Sequence, residues 1–253
     1  MRQLAAEFLK LRTTRTPWVL FGIAVLIGGL IAAGFAGFGG LDAENEDTPA
    51  LALAQAASFF AILATVTGIL LVTNEYRHGT VMTTFLAEPR RERVLGAKLV
   101  VALLTGAAFG LASMAVSTLV AAPWLAARGE PSLLGGELLE GSGRVVLSYA
   151  LSAALGAAVG AILQNQVGAI ITVFVWFLVV ESIISALSGL IFAEDLGERD
   201  PITPYLPGSA LGGIVGGEGN EFLLRGGWAA LLALGYVAGL SLVGALSMTR
   251  RDP

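Results

Sequence analysis

The chain has 253 residues, of which 55% are hydrophobic and only 13% charged, against about 25% charged in a soluble domain. That composition makes it an integral membrane protein. The net charge of −4 points to no particular partner, and the lack of cysteine excludes disulfides and thiolate metal sites.

Residues 2–16 place Leu4, Phe8 and Leu11 on one helical face, with Arg2, Lys10, Arg12 and Arg15 free to reach water or anionic lipid. Residues 1–16 are read as a helix lying on the inner leaflet, with a simple basic flank as the open alternative. Pro17 then opens the first of six apolar segments long enough to span a bilayer, which takes about 20 residues. The segments are 18–38, 51–73, 99–124, 145–163, 167–192 and 228–248. The first is too long for a signal-peptide core and is expected to be retained.

Lys and Arg set the orientation. With the N-terminus inside, eleven face the cytoplasm: Arg2, Lys10, Arg12, Arg15, Arg77, Arg90, Arg91, Arg93, Lys98, Arg250 and Arg251. Four face outward: Arg128, Arg144, Arg199 and Arg225. Both termini are therefore expected in the cytoplasm, and the turn 164–166 with them.

The first outer loop, LDAENEDTP, has four acids and no base; it reads as a solvated loop because its spacing does not match a calcium loop. The second span carries a polar stripe of Gln55, Ser58 and Thr65, read as helix packing or as part of a translocation path. The stretch 75–98, EYRHGTVMTTFLAEPRRERVLGAK, is the long Arg-rich interruption, with a coupling loop at 75–94. Gly79 is expected to end the entering helix and Thr80 to cap a new two-turn helix over Val81–Ala87. Pro89 excludes helical geometry from Glu88. This short helix between two apolar ones has the form of a docking element.

Glu181 is the one ionisable side chain deep in a span, where a carboxylate costs about 2.5 to 3.5 kcal/mol on the translocon scale. Ser185 and Ser188 share its face. A polar gate and a buried structural hydrogen bond are both open readings. The outer stretch 193–227 contains ITPYLPGSALGGIVGG, too apolar for a free loop and too broken by Pro and Gly to span. It is expected to form a re-entrant or interfacial element, with an extracellular cap as the alternative. Gly106/Gly110, Gly156/Gly160 and Gly235/Gly239 are GxxxG pairs expected to pack helices within the chain, with a dimer seam as the alternative.

No G-x-x-x-x-G-K-[ST] occurs, so the chain has no ATPase motif of its own. With His78 as the one histidine and neither G-x-S-x-G nor H-E-x-x-H present, no catalytic or metal residue is assigned. No internal repeat of the kind seen in many secondary transporters is visible, and nothing points to nucleic acid.

Two passages carry a family resemblance. EYRHGT with its short apolar helix, Pro89, Arg91, Arg93 and Lys98 resembles the first cytoplasmic loop of type-2 ATP-binding-cassette exporter permeases, actinobacterial ones especially. VFVWFLVVESIISAL followed by PYLPGSAL is similar to their fifth span and outer loop. The resemblance implies an all-α, ABCG-like fold forming one permease domain over 1–253. It also implies a bacterial plasma-membrane location and pairing with a second permease copy, identical or paralogous. ATP and Mg would be held by separate ATP-binding-cassette ATPase subunits, with no cofactor on this chain. Glu75, Tyr76, Arg77, His78, Gly79, Thr80, Val81, Thr84, Phe85, Pro89 and Arg91 would couple to the ATPase. Gln55, Ser58, Thr65, Glu181, Ser185 and Pro207 would line or gate the path. The exported substrate is expected to be a drug, lipid or other amphiphile. Two rivals stand beside this reading: a proton-coupled secondary transporter using Glu181, and a non-transporting assembly or sensor protein.

Overall fold

The computed structural model describes residues 2–37, 61–88, 90–128, 136–192, 201–216 and 223–250, and every regular element among them is helical. In chain order these are α1 (Arg2–Thr13), α2 (Arg15–Gly37), α3 (Ala61–Arg77), α4 (Val81–Ala87), α5 (Arg91–Arg128), α6 (Gly136–Leu163) and α7 (Gln166–Val175). A π-helical turn (Trp176–Val180) joins α7 to α8 (Glu181–Phe192). A 3₁₀ turn (Thr203–Tyr205) then leads into α9 (Pro207–Gly216), and α10 (Gly226–Arg250) closes the chain.

Five of the described helices are long and apolar enough to cross a membrane. They begin at Arg15, Arg91, Leu139, Gln166 and Gly226. Of the predicted second span, 61–73 falls in the 17-residue α3, which runs on to Arg77; residues 51–60, including Gln55 and Ser58, lie outside the described residues, as does the acidic loop at 41–49.

The centre of the bundle is α6, which packs against α3, α5, α9 and α10 and is 78% buried over its apolar window. Its sequence explains that position. Ala150, Ala153, Ala154, Ala157, Ala158 and Ala161 are all buried, and such small side chains let neighbouring backbones approach where lipid provides no hydrophobic drive. On α3 a Cβ at Gly68 would overlap the Ala153 carbonyl, and one at Gly156 of α6 would overlap the Thr65 carbonyl. These reciprocal glycines put the two backbones in direct contact. Gly106 and Gly110 of α5 do the same against Tyr149 and Val146.

One end of the bundle gathers the start of α2, the end of α3, the start of α5, the end of α6, the start of α7 and the end of α10. Contacts across it include Arg77 Nη1 to Gln166 Oε1 at 3.1 Å, Ser247 Oγ to the Ile162 carbonyl at 3.2 Å, and Arg91 to the Met248 carbonyl. This is the end on which α1 and α4 sit. At the other end α9 packs on α10 and α6, with Ser148 Oγ donating to the Leu211 carbonyl at 2.9 Å.

Several boundaries differ from expectation. The helix of the predicted third span, α5, begins at Arg91, eight residues before its apolar run, and that of the fourth, α6, at Gly136. Helical geometry continues into polar sequence there because Arg, Glu and Lys are good helix formers. The fifth span is not one α-helix, since its i→i+4 ladder slips to i→i+5 over Trp176–Val180. Thr80 makes no side-chain cap and sits in αR geometry, because its amide already closes the preceding helix. Among the described residues, Gly235 and Gly239 have nothing within 4 Å of an added Cβ, so no described helix packs on this pair as expected.

Candidate functional site

The short helix α4 is held at both ends. At its entrance the Gly79 amide donates to the Tyr76 carbonyl at 3.3 Å and the Thr80 amide to the Glu75 carbonyl at 2.9 Å. This paired closure is the Schellman arrangement, and it requires the positive φ of 67° that Gly79 adopts. At its exit Glu88 is extended (φ −138°, ψ 100°), with its amide donating to the Thr84 carbonyl. Pro89 lies outside the described residues, but the geometry of Glu88 is what a following proline imposes.

Between these stops the residues of α4 divide into two faces. Val81 and Thr84 are buried against the bundle. Phe85 is half-buried, with the Arg91 guanidinium 4.9 Å above its ring. Arg91 also donates to the Met248 carbonyl, one of the last four in α10, which have no partner within their own helix. One arginine thus joins α4, α5 and α10. Met82 and Leu86 face outward, 52% and 85% exposed.

Beneath α4 lies a ring of four charges from three helices. Lys98 Nζ of α5 is 2.9 Å from Glu7 Oε2 of α1 and 2.8 Å from Glu75 Oε1 of α3. Lys10 Nζ of α1 is 2.8 Å from Glu7 Oε1 and 2.6 Å from Glu75 Oε1. Two lysines and two glutamates alternate, so the ring is neutral. An ammonium has three donors, and all are used in both cases. Lys98 adds the Leu71 carbonyl at 3.1 Å, and Lys10 reaches Thr84 Oγ1 of α4 at 3.5 Å. Lys98 is 2% exposed.

Burial alone would push the Glu75 carboxyl up, but Lys98 and Lys10 outweigh it and hold the group below its ordinary value. Burial likewise pulls Lys10 down, and its bonds to Glu7 and Glu75 more than reverse this, leaving it raised. Tyr76, half-buried beside Glu75, is pushed up to about 12 by burial first and the carboxylate second. A buried ion pair contributes little net stability over an apolar pair, yet losing one member costs several kcal/mol. The ring therefore fixes the register of α1, α3 and α5 and ties α4 to them through Lys10 and Thr84. A cavity of about 430 Å³ opens between α1, α3 and α4, lined among others by Lys10, Asn74, His78 and Thr83.

The remaining predicted residues fall as follows. Arg77 bonds Gln166, and exposed His78 places Nδ1 2.8 Å from the Asn74 carbonyl. Thr65 is buried, donates to the Ala61 carbonyl at 3.3 Å, and touches α6 at Gly156. Ser185 is half-buried and Pro207 begins α9. Glu181 Oε1 accepts the Trp176 indole N–H at 2.8 Å and the Gly208 amide at 2.7 Å. The π turn makes the first bond: a five-residue period stacks Trp176 over Glu181. The second puts a carboxylate on the N-terminus of α9, where free amides and the helix dipole favour an anion. A side chain at Gly208 would collide with that carboxylate. The candidate gate residue is thus also the cap of α9.

The sequence reading overlooked Glu7 and treated Lys98 as an ordinary cytoplasmic cation. A signal was present, since Lys10 and Lys98 are the chain's two lysines against thirteen arginines. A compact ammonium can bridge two carboxylates where a planar guanidinium fork cannot turn. Residues 3–181 match the family model described as ABC-2 family transporter protein. The match runs from α1 through Glu181 and includes the ring and α4. No curated protein matches the chain.

Proposed function

The chain belongs to the ABC-2 family of transporter proteins, and from that premise we propose that it is the permease subunit of an ATP-driven exporter coupled through α4. Separate ATP-binding subunits, carrying ATP and Mg, dock on the outward face of α4. The observation that carries this reading is the arrangement of that helix: fixed at both ends, joined to α1 and α5 and through Arg91 to α10, yet presenting Met82 and Leu86 away from the bundle. Apolar side chains on a rigid polar end of a membrane protein fit a protein partner's groove better than water.

The mechanism follows from stiffness. A ligand shifts an equilibrium only through differential contact with the two states, so ATP binding must be transmitted by an element that does not absorb the movement. The Schellman closure and the charge ring make α4, α3 and α5 move as one piece. A push on Leu86 reaches the helices that flank the central α6, and a cavity between two permease copies passes from inward-facing to outward-facing. The chain has six spans with cytoplasmic termini in a bacterial plasma membrane, an ABCG-like fold of actinobacterial type, and an amphiphile as cargo. Thr65, Glu181, Ser185 and Pro207 belong to the path or its outer gate, with Gln55 and Ser58 further along the second span.

Reconstitution with the cognate ATPase tests this. Leu86→Asp is expected to leave extraction and folding unchanged while transport and permease-stimulated ATP hydrolysis fall to background. Transport that persists at the unmodified rate would reject the assignment.

A further inference from the structure

The corner where α1 turns into α2 holds a second cavity, of about 410 Å³, that the coupling site does not use. Its wall is an aromatic ladder. Trp18 meets Phe21 edge to face at 6.2 Å, and Phe21 meets Phe109 of α5 at 5.0 Å. Phe8 and Leu11 of α1 close it above, and Ala108 of α5 lines its floor. The Trp18 indole N–H donates to the Arg12 carbonyl at 3.3 Å, fixing the corner. Phe8, Trp18 and Ala108 are exposed, so the groove opens sideways out of the bundle.

The cations of α1 are divided between two tasks. Lys10 is taken up by Glu7 and Glu75. Arg12 stands at the mouth of the groove, and Arg15 follows at the start of α2; both are exposed. Among the described residues, no carboxylate lies within ion-pair distance of either. An apolar slot beside two unneutralised guanidiniums, at a tryptophan of the kind that sits at headgroup depth, is complementary to one molecule class. We propose that this groove binds a single anionic phospholipid, its acyl chain along Trp18, Phe21 and Phe109 and its phosphate on Arg12 and Arg15. Guanidinium suits that phosphate because its planar fork donates two parallel hydrogen bonds. The bound lipid would fill the angle between α1 and α5 and so brace α1, which supplies half of the charge ring. This rests on the family's membrane placement alone, not on coupling to an ATPase, so its failure would leave the exporter reading intact.

The test is native mass spectrometry of delipidated protein offered equal phosphatidylglycerol and phosphatidylcholine. Each juxtamembrane arginine is worth about fivefold in anionic-lipid binding. The phosphatidylglycerol adduct is therefore expected to exceed the phosphatidylcholine adduct by at least about fivefold. Arg12→Gln with Arg15→Gln should bring the ratio to unity, while Arg90→Gln with Arg93→Gln leaves it in place. Ala108→Phe should fill the slot and remove the adduct of either lipid. Equal binding of the two lipids would overturn the proposal. So would a preference that survives both the Arg12/Arg15 and Ala108 variants, or one lost equally with Arg90 and Arg93.

Discussion

Replacing Lys98 by methionine examines the charge ring where it is most deeply buried. The substitution keeps the length of the side chain and removes one positive charge that is 2% exposed. Glu7 and Glu75, 4% and 10% exposed at their side chains, are then left sharing Lys10 alone. Removing one member of a buried pair costs about 3–5 kcal/mol, because the other charge stays desolvated. Lys10 is half-exposed and partly compensates, so the lower end, about 3 kcal/mol, is expected. For a chain of this size that lowers the melting temperature by roughly 6–12 °C. The assay is thermal denaturation of purified protein, followed by size-exclusion recovery. The companion variant, Lys98→Met with Glu7→Gln, restores neutrality and should recover more than half of the loss. A single variant within about 0.5 kcal/mol of the parent, the range of ordinary surface changes, would refute the ring as a structural joint. A double variant no better than the single would refute it equally.

Other outcomes follow from the same geometry. Because Glu75 is held below its ordinary 4.5, the folded state binds fewer protons than the unfolded one there. Its stabilisation is complete above that value and falls as pH drops further. Lys10 is raised above 10.5, so its contribution is complete below that pH and fades above it. The contribution of these two groups should therefore be flat between these limits, and Glu75→Gln should reduce the acid-side loss. Gly79→Ala, at a φ of 67° with open space around it, should cost about 1 kcal/mol through backbone strain alone, measured by denaturation. Gly208→Ala should detach α9 from Glu181 and expose the segment 201–216 to hydrogen exchange, while Glu181→Gln, which keeps the accepting oxygen, should do so much less. Proton-driven transport lost in Glu181→Gln with no ATPase required would instead favour the secondary-transporter reading.

What could be read from sequence was whatever depends on local chemistry. Apolar run lengths marked the five described helices long and apolar enough to cross a membrane, and Gly79 and Pro89 bracketed Val81–Ala87 to the residue. Positive φ and proline sterics act within a few residues, so one sequence contains them. What stayed hidden depends on distant partners. Thr80 looks like a cap until the Glu75 carbonyl takes its amide. Lys98 looks like a positive-inside marker until Glu7, ninety-one positions away, turns out to be buried against it. The π turn has no composition of its own, and its effect, Trp176 over Glu181, appears only in three dimensions. Of the GxxxG pairs, one on α5 meets the α6 backbone, one on α6 meets the α3 backbone, and the third has no described neighbour against it; spacing alone does not tell them apart.

The central claim, that α4 is the face an ATP-binding subunit pushes on, is tested most directly by disulfide or maleimide cross-linking from Met82→Cys and Leu86→Cys. The chain has no cysteine of its own, so there is no background. Both positions should cross-link to the ATPase from the cytoplasmic side, with an efficiency that changes when ATP is added. Labelling of Leu86→Cys only from the outer side of sealed cells, or cross-links that form equally without any ATPase present, would contradict the account.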